Sequence, residues 1–134
     1  VSLRGIGVDI VDPVRFQRVV TGHGGAVARR WFDPAELAQA EDRRLCLAEC
    51  FAVKEAVWKA LRLPIAHLPW RDIIVSKNGT AIGIRLGGIV SAEAETHAIG
   101  AIHVGTKVCE QLVIATAIAE SIQTSVTVPS SAGR

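Results

Sequence analysis

Alternation is the first pattern along the chain. Between Leu3 and Val11, apolar Ile6, Val8 and Ile10 alternate with Gly5, Gly7 and Asp9, the period of a strand. Asp12-Pro13 then predicts a helix start, with Asp as N-cap and Pro at the first helical position. Val14, Phe16, Val19 and Val20 carry its apolar stripe until Thr21 to Gly25 breaks it. A short helical piece follows over Ala26 to Trp31. Asp33-Pro34-Ala35-Glu36 is a second helix start, in which Glu36 stands at the capping-box position, and that helix runs from Pro34 to near Asp42. The longest helix is expected over Arg44 to Leu61. Leu47, Cys50, Phe51, Val53, Val57, Trp58 and Leu61 occupy most of its circumference, which makes it central. Pro64 and Pro69 end it in a loop.

In the second half the period returns to that of strands. Asp72 to Ser76 and Thr80 to Leu86 flank Lys77-Asn78-Gly79 and predict a hairpin. Gly87-Gly88 opens a short helix through about His97. Ile99 to Val104 and Leu112 to Ala119 are the last expected strands. No internal repeat or linker divides the chain, so one domain over residues 1–121 is expected. The Ser/Thr/Val/Pro-rich stretch over 122–134 reads as a flexible tail.

Composition narrows the picture. The chain has 134 residues, 49% of them hydrophobic and 21% charged, which excludes a disordered polyelectrolyte and requires a core. A formal net charge of +2 is too small for a protein built to coat nucleic acid. The apolar run Leu112 to Ala119 is too short to span a bilayer, and the segment from Val1 to Val11 lacks the features of a signal peptide, so a soluble cytoplasmic domain without a membrane partner is expected. The mean hydropathy of +0.32 is high for so small a chain and points to apolar surface shared between subunits. Cys46, Cys50 and Cys109 form neither a disulfide framework nor a zinc set; they read as small apolar residues of a reducing compartment.

Two acidic residues are out of place. Asp9 falls mid-strand among Ile, Val and Gly, where a carboxylate is costly unless a cation or donors receive it; an outward-facing Asp on an edge strand is the alternative. Glu55 lies in the central helix one turn before Lys59. That spacing fits an ordinary helix ion pair of about 0.3–0.5 kcal/mol. It also fits a carboxylate that joins Asp9 around a hard divalent ion, since Mg²⁺ takes one or two protein carboxylates and fills its shell with water and phosphate oxygens.

Taken together these segments resemble the holo-acyl-carrier-protein synthase group of 4′-phosphopantetheinyl transferases. The resemblance rests on Gly5-Ile6-Gly7-Val8-Asp9-Ile10-Val11, Arg15-Phe16, Phe32-Asp33-Pro34-Ala35-Glu36-Leu37, and Phe51-Ala52-Val53-Lys54-Glu55-Ala56-Val57-Trp58-Lys59-Ala60. Asp72 to Val75, Asn78-Gly79 and Ile102-His103-Val104 follow in family order, so it spans about residues 4–120. It implies an α+β fold, a small mainly antiparallel sheet packed on a long central helix, in a homotrimer with sites at subunit interfaces. It implies Mg²⁺-dependent transfer of 4′-phosphopantetheine from coenzyme A to a serine of an apo acyl or peptidyl carrier protein. Asp9 and Glu55 would hold the Mg²⁺, Glu55 would help deprotonate the serine, and Lys59 would stabilise the diphosphate. Lys54, Lys59, Arg62, Lys107 and His103 would contact coenzyme A, and Arg15 with Arg18 would meet the acidic carrier.

The chain departs from that pattern in places. Gly105-Thr106-Lys107-Val108 stands where the family usually carries Ser-x-Ser/Thr-His, and Cys50 stands where an Arg usually precedes the helix aromatic. Lys107 and Arg62 are the candidate replacement phosphate contacts. The departures keep an alternative open: a repurposed member of the fold that binds a carrier protein or small molecule in the interface cleft and catalyses a different step.

Overall fold

A computed structural model describes residues 1–122; the expected tail over 122–134 lies, except for Ile122, outside the described residues. Five strands and five α-helices follow one another as β1 (Ser2–Val11), α1 (Pro13–Thr21), α2 (Ala26–Trp31), α3 (Pro34–Glu41), α4 (Leu47–Leu61), β2 (Ile73–Asn78), β3 (Ala81–Leu86), α5 (Gly88–Thr96), β4 (Ile99–Cys109) and β5 (Leu112–Ser121). The fold is α+β and every strand pairing is antiparallel.

The local signals act as their chemistry requires. Asp12 caps α1 by accepting from the Val14 and Arg15 amides at 2.9 and 3.2 Å. Asp33 and Glu36 close the capping box of α3. Gly79, at φ 61°, turns the β2–β3 hairpin.

Three expectations need correction. The strands form two sheets, not one: β1-β5-β4 and the separate hairpin β2-β3. Helix α4 starts at Leu47 rather than Arg44, because Arg43 takes a left-handed turn and the Cys46 thiol caps the helix by accepting from the Glu49 amide at 3.3 Å. Strand β4 continues past Val104 to Cys109, because pairing with β5 holds the polar run Gly105–Lys107 extended.

Helix α4 crosses the inner face of the three-stranded sheet. Ala52, Ala56 and Ala60 of the helix and Ala115, Ala117 and Ala119 of β5 are all fully buried, so two small-residue surfaces meet at short range. The outer face of the same sheet carries Ile6, Val8, Ile10 and Ile118 exposed to solvent.

Candidate active site

Strand periodicity places Gly5, Gly7 and Asp9 on the face of β1 that meets α4. A Cβ at Gly5 would overlap the Ala60 carbonyl, and one at Gly7 the Ala56 carbonyl. Only glycine lets the helix backbone lie this close. Two residues further on, the side chain that follows on this face is Asp9, which arrives beside the Glu55–Lys59 turn of α4.

The ion pair expected along the helix is not the one formed. Lys59 turns to β1, donating to the Asp9 carboxylate at 3.1 Å and to the Val8 carbonyl at 3.0 Å. Glu55 faces a cleft that it lines together with Asp9, Arg15, Trp31 and Phe51. Burial, and then the Asp9 carboxylate, push the Glu55 carboxyl above its ordinary range, while Lys59 offsets only part of this. Two adjacent carboxylates that keep free oxygen lone pairs are a fitting donor set for a hard divalent cation, and a cation there would relieve the cost that burial and Asp9 place on the charged form of Glu55. Among the described residues no group of three or more His, Cys, Asp or Glu side chains is gathered, so water and a ligand oxygen would complete any such shell.

Of the remaining predicted residues, Arg15 lies at the cleft and Arg18 on a neighbouring groove of α1 with Val14 and Gln17. Arg62 ends α4 in a left-handed conformation, and its carbonyl accepts from Arg4 at 3.0 Å. His103 and Lys107 point to the outer face of the sheet, in register with Ile118 and Ile114 of β5 and, through them, with Ile6 and Ile10 of β1. His103 pairs there with Glu120 at 3.1 Å. Within one chain neither joins Asp9 and Glu55, because successive side chains of a strand point to opposite faces.

Lys54 must be corrected outright. It is fully buried and donates to Glu36 at 2.6 Å, to the Trp70 carbonyl at 2.8 Å and to the Ile73 carbonyl at 2.7 Å. An ammonium has three protons, so none remains for a nucleotide. Glu36, also fully buried, accepts in addition from the Asp33 and Val75 amides and from the Cys50 thiol. Burial and the adjacent carboxylate keep that thiol protonated and therefore a donor.

Two features escaped the sequence reading. Trp31 stacks on Phe51 at 5.2 Å and Phe51 meets Phe16 at 4.9 Å, which gives the cleft an aromatic wall, and Trp70 packs on Phe51 at 5.0 Å without lining the cleft itself. Periodicity could mark Phe16 and Phe51 as apolar but not join them to the Trp residues of other elements. Glu49 accepts from Thr106 at 2.9 Å and from Lys77 at 3.0 and 3.1 Å, tying the atypical β4 run to α4. An acid inside the apolar stripe of a helix was the available signal.

The chain is similar to known proteins over most of its length. A model of the 4′-phosphopantetheinyl transferase superfamily matches residues 5–117. A holo-[acyl-carrier-protein] synthase of Frankia alni is 38% identical over 118 residues, covering 87% of this chain and 97% of the relative. The crystal structure of holo-[acyl-carrier-protein] synthase from Neisseria meningitidis is similar with a TM-score of 0.78 at 29% identity, over 89% of this chain and 99% of that one. The Helicobacter pylori holo-[acyl-carrier-protein] synthase in complex with coenzyme A gives 0.73 at 27% identity, over 86% and 99%.

Proposed function

The chain belongs to the 4′-phosphopantetheinyl transferase superfamily, and from that premise we propose that it moves 4′-phosphopantetheine from coenzyme A to a serine of an apo acyl or peptidyl carrier protein, with Mg²⁺ held by Asp9 and Glu55. The observation that carries the reading is the convergence of Asp9, Glu55 and Lys59 beside one cleft. In the reaction the serine oxygen attacks the β-phosphorus of the diphosphate, and the bond to adenosine 3′,5′-bisphosphate breaks. Bound Mg²⁺ would supply charge neutralisation at the diphosphate oxygens. Glu55, which lines the cleft, would take the serine proton directly or through a water. Lys59 is about half exposed, so its ammonium can leave Asp9 for a phosphate oxygen. Arg15 at the cleft, with Arg18 beyond it, offers positive charge to an acidic carrier.

The uncovered apolar face of the sheet supports a homotrimer. In such an assembly His103, Lys107 and Arg62 would contact coenzyme A from a neighbouring copy, in keeping with the placement of His103 and Lys107 on the face of the sheet opposite Asp9. We read residues 1–121 as one domain. Among the described residues no helix is long and apolar enough to cross a membrane, and Cys46, Cys50 and Cys109 are free thiols, in keeping with a cytoplasmic enzyme.

A second reading has its own support. Val108, exposed where the family usually places a His, removes a polar contact from the β4 run, which favours a repurposed site without normal coenzyme A chemistry. Intact-mass measurement on a panel of apo carrier proteins with coenzyme A, with Mg²⁺ or with chelator, separates the two. Chelator-sensitive addition of one phosphopantetheine is the expected result. No addition to any carrier, together with no coenzyme A binding by calorimetry, favours the second reading.

A further inference from the structure

Helix α4 is gripped on two sides, and Glu55 lies between the grips. Successive helical residues are about 100° apart, so Lys54 and Ala56 flank Glu55 at equal angles. On the Ala56 side the grip is steric: the carbonyls of Ala56 and Ala60 fill the space left by Gly7 and Gly5. On the Lys54 side it is polar. Cys50 and Lys54, one turn apart, both reach Glu36 of α3, while Lys54 also holds the Trp70 and Ile73 carbonyls. The Lys54 ammonium therefore fixes the rotation of α4 about its axis and, through the Trp70 backbone, the ring that packs on Phe51 of the aromatic wall.

We infer that Lys54 is a positioning residue for the transfer reaction, holding Glu55 toward Asp9 and Trp70 against Phe51 without touching substrate. The inference rests on the role of Glu55 proposed above. Burial alone does not require a lysine here: apolar side chains of similar volume commonly replace buried ion pairs without loss of stability. What an apolar replacement cannot do is bind three oxygens at once, one from α3, one from the turn before β2 and one from β2. Displacement of a reacting group by 1 Å can lower a rate by about a hundredfold, so a small rotation of α4 would be felt at Glu55.

The test uses the full-length protein. Lys54→Met alone leaves Glu36 buried without its cation and can fail to fold. The double variant Glu36→Gln/Lys54→Met removes both charges and is the working comparison. Cys50→Ala breaks one contact to Glu36 but leaves the three bonds of Lys54, and serves as the control for loss of packing. The folded double variant is expected to lose at least about tenfold in kcat and to need several times more Mg²⁺ for half-activation, with the KM for carrier protein changed less than about threefold. Cys50→Ala is expected to melt earlier with kcat and Mg²⁺ response unchanged. A folded double variant with kcat and Mg²⁺ response within about twofold of wild type overturns the inference, as does a Cys50→Ala that loses kcat equally. A wild-type protein that transfers without Mg²⁺ removes the metal assignment and leaves kcat to decide. A wild-type protein without transfer removes the proposed reaction, and Mg²⁺ binding by calorimetry then decides: weaker binding by the double variant supports the inference, equal binding or none overturns it.

Discussion

Helix α4 presents two lysines to two carboxylates, and the two pairs have opposite characters. Lys54 and Glu36 are both fully buried, and each spends its hydrogen-bonding capacity on the protein. Lys59 and Asp9 meet at the edge of an open cleft with the lysine half exposed, and Glu55 beside them adds a carboxylate that its neighbours do not neutralise. The residue types are alike and the lysines are little more than one turn apart. The difference lies in saturation: a pair with every donor and acceptor engaged can only hold structure, whereas one with spare lone pairs and a mobile cation can receive a substrate.

The contrast predicts effects of decreasing size. Glu55→Gln, or Asp9→Asn, should lower phosphopantetheine transfer by about 10²–10⁴-fold with the fold intact, read by intact mass against circular dichroism. Normal transfer by both variants would show that the open pair is not the reacting one. On the buried side, Lys54→Met should destabilise the protein by about 3–5 kcal/mol, because it strands the Glu36 charge. Lys59→Met, at the partly exposed pair, should change stability by less than about 1 kcal/mol; denaturant titration of the two variants checks the difference directly.

Gly7→Ala tests what joins the two regions. Its Cβ would strike the Ala56 carbonyl, so β1 and α4 must part. A loss of about 1–3 kcal/mol is expected, with a fall in transfer larger than that of a core variant of equal stability placed away from Asp9. Equal falls at matched stability would mean that the close approach serves packing alone.

The smallest effect is a pH dependence. Glu55 holds its proton more tightly in the folded chain than in the unfolded one. Its contribution to stability is therefore lost as pH rises from the ordinary carboxylate range through the raised native value. Metal-free Glu55→Gln should melt higher than wild type above that window and alike below it, and Mg²⁺ should raise only the wild type. Parallel melting curves at neutral and acid pH would show that neither burial nor Asp9 raises the Glu55 carboxyl.

Much of this was legible along the chain. Alternation found β1, capping chemistry found α1 and α3, and the β2–β3 turn was visible in Asn78-Gly79. The anomaly of two acids in apolar settings pointed to Asp9 and Glu55, because the cost of burying a carboxylate is a property of the residue type and the local period. The sequence by itself determined which elements form and which groups are chemically out of place. Only the tertiary structure decided the partners. Lys54 and Lys59 have the same chemistry and lie on the same helix, yet one is enclosed by α3 and the start of β2 while the other opens onto a cleft. His103 and Lys107 could be marked as polar, but the register with β5 turned them to the face opposite Asp9. Burial and pairing are sums over residues far apart in the chain, and those sums exist only once the elements have packed.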